Sequence, residues 1–281
     1  MKKVPFIKMQ GAGNDFALVD GRRPLDIALA GAFARRICDR KFGAGADGLL
    51  VMRRSEKADV RMQIFNADGS EAEMCGNGAR CVALVYARRS GMKDFAIETR
   101  AGVLEARIVG PATVALHLPD PTDIRLDVMV RVGKQTYEVD FVNTGVPHAV
   151  VEVADLESVP VMRLGRAIRS HGLFQPAGTN VDFVRVRDSR RIDIRTYERG
   201  VEAETLACGT GSVAGAIASA LNHTREGLQV SGTRAAMRHR IQVRTKGGEE
   251  LTVAFAVTKH DVSDVWLEGR AKIVYEGVYH V

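Results

Sequence analysis

Two cysteines in this chain stand at the head of the same short pattern: Cys75-Gly76-Asn77-Gly78 and Cys208-Gly209-Thr210-Gly211. Each pattern opens a stretch rich in small and apolar residues that reads as a helix. A cysteine just before a helix meets unpaired backbone N–H groups and the positive end of the helix dipole. That setting lowers a thiol pKa and favours the reactive thiolate. The glycines permit backbone angles with φ > 0 and let a ligand approach the main chain, and the free N–H groups can hold a carboxylate. Inverting a stereocentre needs a base on one face of the carbon and an acid on the other. Two thiols supply both, and helix-start amides would stabilise the charge left when the α-proton departs. Taken singly, either pattern could be a tight turn around a packed thiol; its repetition argues for chemistry. Cys38 and Cys81 read as small buried apolar residues. No Cys-x-x-Cys pair or His/Cys cluster has metal-ligand spacing, so no metal is expected.

The repetition extends beyond the cysteines. Gly69-Ser70-Glu71-Ala72-Glu73 is echoed by Gly200-Val201-Glu202-Ala203-Glu204, each just upstream of its cysteine. Ala12-Gly13-Asn14-Asp15-Phe16 is loosely echoed by Ala177-Gly178-Thr179-Asn180-Val181-Asp182-Phe183. An asparagine loop, a cysteine loop and a helix follow one another in both halves. A duplicated half and a two-lobed protein with a pseudo-twofold cleft follow from that order.

Apolar alternation of strand length places strands at residues 4–9, 16–20, 49–53, 60–65, 95–99, 103–109 and 114–118. In the second half, strands are expected at 137–142, 148–153, 182–186 and 191–197, with hairpin-like alternation at 238–257 and 265–275. Helices are expected at 25–41, 79–89, 162–170 and 212–222. Pro119-Asp120-Pro121 is a rigid break that suits a domain boundary. The expected division is an N-terminal lobe, 1–118, carrying Cys75 and rejoined by 268–281, and a C-terminal lobe, 119–267, carrying Cys208.

At 281 residues the chain suits two moderate domains. Its formal charge of +6 could suggest a nucleic-acid partner. The basic residues are scattered in pairs without a long basic run or interleaved aromatics, which favours a solvated basic surface. No stretch approaches the roughly 18 apolar residues of a membrane helix, and residues 4–9 are too short for a signal-peptide core. A cytoplasmic protein with four reduced cysteines is expected.

Four segments taken in order resemble the diaminopimelate epimerases. They are Gly11-Ala12-Gly13-Asn14-Asp15-Phe16; Phe65-Asn66-Ala67-Asp68-Gly69-Ser70; Cys75-Gly76-Asn77-Gly78-Ala79-Arg80-Cys81; and Tyr197-Glu198-Arg199-Gly200 leading to Cys208-Gly209-Thr210-Gly211. The resemblance implies an α/β (α+β) fold of two pseudo-symmetric lobes. Each would be a mixed, mostly antiparallel sheet wrapped around a central helix, with the active site in the cleft between them. It also implies interconversion of LL- and meso-diaminopimelate, on the path to lysine and peptidoglycan, with no cofactor. On this chain Cys75 and Cys208 would be the acid/base pair, and Gly76, Asn77, Gly209 and Thr210 would bind the reacting carboxylate. Asn14, Asn66, Asn180 and Arg199 would hold the distal end of the substrate, and Glu198 and His148 would sit beside the thiols. A homodimer is plausible on resemblance alone. One departure stands out: the family often shows Gly-Asn-Pro-His, and this chain has Gly145-Val146-Pro147-His148. Val146 cannot make the asparagine's side-chain hydrogen bonds. Proline racemases and hydroxyproline epimerases are the neighbouring alternative, but they typically carry histidine after the first Cys-Gly, where Asn77 stands. A non-catalytic binding protein of the same fold would be expected to lose the cysteine pair, and both are present.

Overall fold

Apolar alternation becomes strand almost everywhere the sequence carries it. The computed structural model describes residues 3–22, 30–227, 236–258 and 261–281. They fall into two units, Met1–His117 with Glu268–Val281, and Leu118–Leu267. The first unit runs β1 (Lys3–Gly11), β2 (Asn14–Asp20), α1 (Ala30–Ile37), β3 (Gly48–Arg53), β4 (Val60–Asn66), β5 (Glu71–Ala72), α2 (Gly76–Ser90), β6 (Asp94–Thr99), β7 (Gly102–Gly110) and β8 (Thr113–Leu118). The second runs β9 (Thr122–Val132), β10 (Gln135–Asn143), β11 (Pro147–Glu152), α3 (Val161–Arg169), β12 (Asn180–Asp188), β13 (Arg191–Glu198), β14 (Ala203–Thr205), α4 (Gly209–Gly227), β15 (Met237–Arg244), β16 (Glu250–Val257) and β17 (Val262–Arg270). β18 (Lys272–His280) pairs antiparallel with β1, in the first unit.

The duplication is visible in the strand pairing. In the first unit β18–β1 and β1–β2 are antiparallel, β2–β3 parallel, β3–β4 antiparallel, β4–β6 parallel and β6–β7 antiparallel. In the second unit β9–β10, β10–β11, β11–β12, β12–β13, β13–β15 and β15–β16 repeat those senses in the same order. β5 and β14 are short antiparallel partners of β4 and β13. These are mixed, mostly antiparallel sheets in an α+β fold.

Each sheet wraps a helix that has no wet face. Every residue of α2 from Asn77 to Tyr86 is buried, and the helix packs on β1, β2, β3, β4 and β7. In α4, Val213, Ala214, Ala216, Ile217, Ala218 and Ala220 are buried, and the helix packs on β10 to β13, β15 and β16. A helix enclosed on all sides needs apolar residues around its whole circumference. Ala and Gly let the strands come close. Gly11 shows how close: a Cβ there would lie 3.0 Å from the Asn77 carbonyl oxygen. α2 stops at Gly91, whose φ of 79° is left-handed and whose N–H bonds Ala87 O at 2.8 Å.

Four elements differ from expectation. Of the helix expected at 25–41, residues 25–29 lie outside the described residues, and α1 ends at Ile37. The Asp39 carboxylate accepts the N–H groups of Lys41 and Phe42, and Ala44 and Gly45 both bond Ile37 O, which turns the chain out of the helix. Both central helices begin earlier than their apolar periodicity, at the glycine after each cysteine. β9 is absent from the sequence expectation, although Ile124, Leu126, Val128 and Val130 alternate. Asp123 and Asp127 take positive φ, and the β9–β10 register shifts twice. Among the described residues no helix is long and apolar enough to cross a membrane.

The enclosed helices should dominate stability. Leu84 of α2 is 2% exposed, and Leu84→Ala is expected to cost about 2–5 kcal/mol. Val109→Ala, at a 46% exposed position, should stay within about 0.5 kcal/mol. Urea unfolding of the two variants beside wild type measures both.

Candidate active site

Cys75 is the N-cap of α2, with φ −146° and ψ 117°, and its side chain makes no capping hydrogen bond. Its carbonyl accepts the first helical bond from Ala79 N–H at 2.8 Å. The N–H groups of Gly76, Asn77 and Gly78 therefore lie in the part of a helix without intrahelical acceptors. A Cβ at Gly76 would meet nothing within 4 Å, so this turn is open on one side. Behind it, Asn77 is buried and braced: Arg80 Nη2 donates to Asn77 Oδ1, and Asn77 Nδ2 donates to Asn14 Oδ1 at 2.8 Å. Asn14 Nδ2 and the Asp15 N–H both reach Asp47 Oδ2 at 3.1 Å. Asp15 in turn binds Lys8 and Arg40.

Cys208 is set differently. It is 8% exposed, and its Sγ accepts the Gly211 N–H at 3.4 Å, a capping bond that Cys75 lacks. Thr210 Oγ1 lies 3.4 Å from Sγ and 3.0 Å from His148 Nε2. His148 Nδ1 lies 2.6 Å from Asp182 Oδ2, with both side chains fully buried. The other carboxylate oxygen of Asp182 accepts from Thr196 Oγ1 at 2.7 Å. Burial raises the Cys208 thiol pKa, Glu198 and Asp182 raise it further, and the Thr210 hydroxyl and Gly211 N–H oppose them. Burial likewise raises Glu198, against Thr205 and His148, with Asp182 adding to the rise. A neutral carboxyl or a thiol is favoured wherever charge is buried.

The remaining expected residues use part of their hydrogen-bonding capacity within the protein. Asn66 is exposed at the end of β4, where its Nδ2 bonds Ser70 Oγ at 2.9 Å. Asn180 Nδ2 donates to Pro147 O at 3.2 Å and lies 3.5 Å from His148 Nε2, while its Oδ1 accepts the Arg199 N–H at 2.8 Å. Arg199 Nη1 donates to Ala177 O at 3.1 Å. An amide NH₂ carries two donors and an amide oxygen two lone pairs, so Asn14, Asn66 and Asn180 each keep capacity for a ligand. Val146 sits in a tight turn, with Thr144 N–H bonded to Val146 O at 3.1 Å. Thr144 Oγ1 reaches Thr210 O at 3.4 Å, which ties that turn to the start of α4. Within the second unit the fold thus gathers His148, Asn180, Glu198, Cys208 and Thr210. Within the first it joins Asn14 to Asn77 behind Cys75. Among the described residues no group of three or more His, Cys, Asp and Glu could hold a metal ion.

Arg80, Asp47, Asp182 and Thr196 are absent from the sequence expectation. Strand register explains what Asp182 does. His148 of β11 opposes Asn180 of β12, and Phe16 of β2 opposes Gly48 of β3, so the two pairs are equivalent. Two residues on, Asp182 is equivalent to Leu50. Both face the last glycine of their Cys-Gly-x-Gly: a Cβ at Gly78 would come 2.9 Å from Leu50 Cδ2, and one at Gly211 would collide with Asp182 Oδ1. The same register corrects the asparagine echo. Asn14 opens β2 and Asn180 opens β12, which are not equivalent strands.

Two measurements test this geometry. Burial opposes ionisation of Asp15, but hydrogen bonds from Arg40 and Lys8 prevail and bring its pKa from 3.8 to about 2. A carboxyl whose folded pKa is depressed stabilises the fold above its unfolded value, and that gain disappears as pH falls through the folded one. Asp15→Asn should therefore lower the urea midpoint at neutral pH, with the difference from wild type shrinking between about pH 4 and pH 2. Burial also pushes the thiols of Cys38 and Cys81 up to about 11 and about 12. Brief iodoacetamide treatment of native protein at about pH 8 should label half-exposed Cys75 first, Cys208 slowly, and Cys38 and Cys81 only after unfolding, as read by peptide mass spectrometry.

The profile of the diaminopimelate epimerase family matches residues 6–117 and 141–273. A diaminopimelate epimerase of Aquifex aeolicus is 42% identical over 283 residues, covering 97% of this chain and 96% of its own. One of Methanocella arvoryzae is 43% identical over 294 residues, covering 99% and 97%. Among solved structures, a phenazine biosynthesis protein of the PhzF family from Bacillus anthracis superposes with a TM-score of 0.72 at 17% identity, covering both chains completely. A hydroxyproline epimerase from Agrobacterium vitis, with bound trans-4-hydroxy-L-proline, gives 0.66 at 17% identity, covering 98% of this chain and 92% of its own. At that identity these two establish the shared fold. The matched profile and the near full-length identity place this chain in the diaminopimelate epimerase family.

Proposed function

We propose that this chain interconverts LL- and meso-diaminopimelate by a two-base mechanism, using Cys75 and Cys208 and no cofactor. The observation that carries the reading is that each unit begins its buried central helix directly after one of these cysteines. A thiolate on one side removes the α-proton while the thiol on the other side delivers a proton to the opposite face. The two cysteines exchange roles for the reverse reaction. The carboxylate of the reacting centre takes up the developing charge, and the N–H groups of Gly76, Asn77, Gly209 and Thr210, ahead of the first intrahelical bond, would receive it. Donors aimed at such charge contribute about 10²–10³-fold each to rate in acyl transfer, and an enediolate presents the same demand.

Specificity for a substrate with a second amino-acid end falls to Asn14, Asn66, Asn180 and Arg199. The Arg199 backbone is fixed by Asn180, and among the described residues its guanidinium meets one acceptor, Ala177 O. A guanidinium of this kind suits bidentate pairing with a distal carboxylate. This role supports the longer dicarboxylic substrate over proline. The place of action would be the cytoplasm, in the supply of lysine and cell-wall precursors.

Incubation with LL-diaminopimelate in D₂O, followed by chiral separation and mass analysis, tests the reading. Wild type should form the meso isomer with deuterium at the inverted carbon. Cys75→Ala and Cys208→Ala should each lower epimerisation about 10²–10⁴-fold, the contribution of a positioned acid or base. Arg199→Met should raise KM far more than it lowers kcat. Absence of deuterium incorporation by wild type, or racemisation of free proline in its place, overturns the assignment.

A further inference from the structure

We propose that the Thr210 hydroxyl relays the Cys208 proton to His148, with Asp182 holding the imidazole in the tautomer that receives it. The inference rests on reading the chain as a two-thiol epimerase, and it gives Thr210 and Asp182 side-chain duties beyond the backbone N–H of the helix start. Four groups stand in line: Sγ to Thr210 Oγ1 at 3.4 Å, Oγ1 to His148 Nε2 at 3.0 Å, and Nδ1 to Asp182 Oδ2 at 2.6 Å. Asp182 accepts, so Nδ1 carries the hydrogen and Nε2 is left as an acceptor. Thr210 can then donate to Nε2 and accept from the cysteine S–H. When the relay runs, the S–H bond of Cys208 breaks and Thr210 Oγ1 gains that proton. The original Thr210 O–H proton passes to Nε2, leaving a thiolate and an imidazolium paired with the Asp182 carboxylate. Running backwards, the same transfers restore the thiol.

Cys208 has particular need of such a route. It is buried, and it and His148 face the Asp182 carboxylate from β12, Glu198 from β13, the Thr210 hydroxyl and Gly211 N–H from its own helix, and the Asn180 amide, 3.5 Å from His148 Nε2. Carboxylates beside a buried thiol oppose its ionisation, and the relay answers them by creating a cation two bonds of the network away. Asp182 is held in place by Thr196, which donates to its second oxygen, and the absence of a side chain at Gly211 leaves that oxygen its room. The equivalent places in the first unit are Phe16, Leu50 and Asn77, and neither a hydrocarbon side chain nor an amide accepts a proton and passes it on as an imidazole does. The chain of donors was built into one half only.

The test is α-deuterium incorporation into diaminopimelate, followed against pH for wild type, Thr210→Val, Thr210→Ser and Asp182→Asn. Wild type must incorporate deuterium; if it does not, the epimerase reading itself fails. Given that, Thr210→Val should lower kcat about 10²–10⁴-fold with little change in KM. Its rate should climb with pH where wild type is flat, because the thiol must then ionise unaided. Thr210→Ser should recover to within about tenfold of wild type, and Asp182→Asn should reproduce the Val defect by reversing the tautomer. The relay is overturned if Thr210→Val keeps wild-type kcat, which would make Glu198 the direct acceptor. It is also overturned if Val and Ser are equally impaired by one factor at every pH, as a packing defect would produce.

Discussion

A helix has free N–H groups only at its start, and this fold encloses the body of its two central helices, residues 77–86 of α2 and 211–220 of α4. That constraint organises each unit. Strands enclose α2 and α4 on all sides, which requires small and apolar residues along the helix and glycines where a strand crosses closely, as at Gly11 against Asn77. The first turn alone offers unpaired donors, and the cysteine stands immediately before it. Positive potential, hydrogen-bond donors and a thiol are thus delivered to one place by the geometry of a single secondary-structure element. Side chains then refine the delivery. In the first unit the buried Arg80 fixes Asn77, Asn77 fixes Asn14, and Asp47 fixes both Asn14 and the chain after it. A loop that would otherwise move is tied to the helix it faces.

Much of this was legible in the sequence, and for a physical reason. Period-two alternation and the Cys-Gly-x-Gly pattern are local, so β1 to β4, the buried helices and both thiols could be read from neighbouring residues. The Gly-x-Glu-Ala-Glu echo was reliable because it falls on equivalent turns, β4 to β5 and β13 to β14. The asparagine echo was not, since a loose match of short polar segments cannot tell one strand start from the next. Only the parallel registers β2–β3 and β11–β12 separate them. Asp182 and Arg80 were hidden for a related reason. An acid in a strand or a base in a helix reads as a surface residue until tertiary packing reveals a partner on a distant element. His148 lies 34 positions from Asp182 and 62 from Thr210.

The duplicated frame carries unequal contents, and the chemistry explains why equality would fail. Stereochemical inversion by two groups of one kind works only when one holds a proton and the other does not. Two identical surroundings would give both thiols the same tendency to ionise, and repulsion between paired thiolates would be the sole means of telling them apart. Here the sheet positions facing the two helix starts differ: Phe16 and Leu50 in one unit, His148 and Asp182 in the other. The Cys208 side adds a capping bond from Gly211, a hydroxyl and two carboxylates. The Cys75 side has a partly buried cysteine whose side chain does not cap the helix, beside an amide braced by Arg80. The two units share the order of strands and a helix that starts after a cysteine, while the residues around those starts differ at Phe16 and His148, Leu50 and Asp182, and Asn77 and Thr210. Symmetry therefore belongs to the backbone, in the matching strand senses and the matching helix starts. Asymmetry belongs to the side chains, which surround Cys208 with a hydroxyl, an imidazole and two carboxylates and Cys75 with an amide.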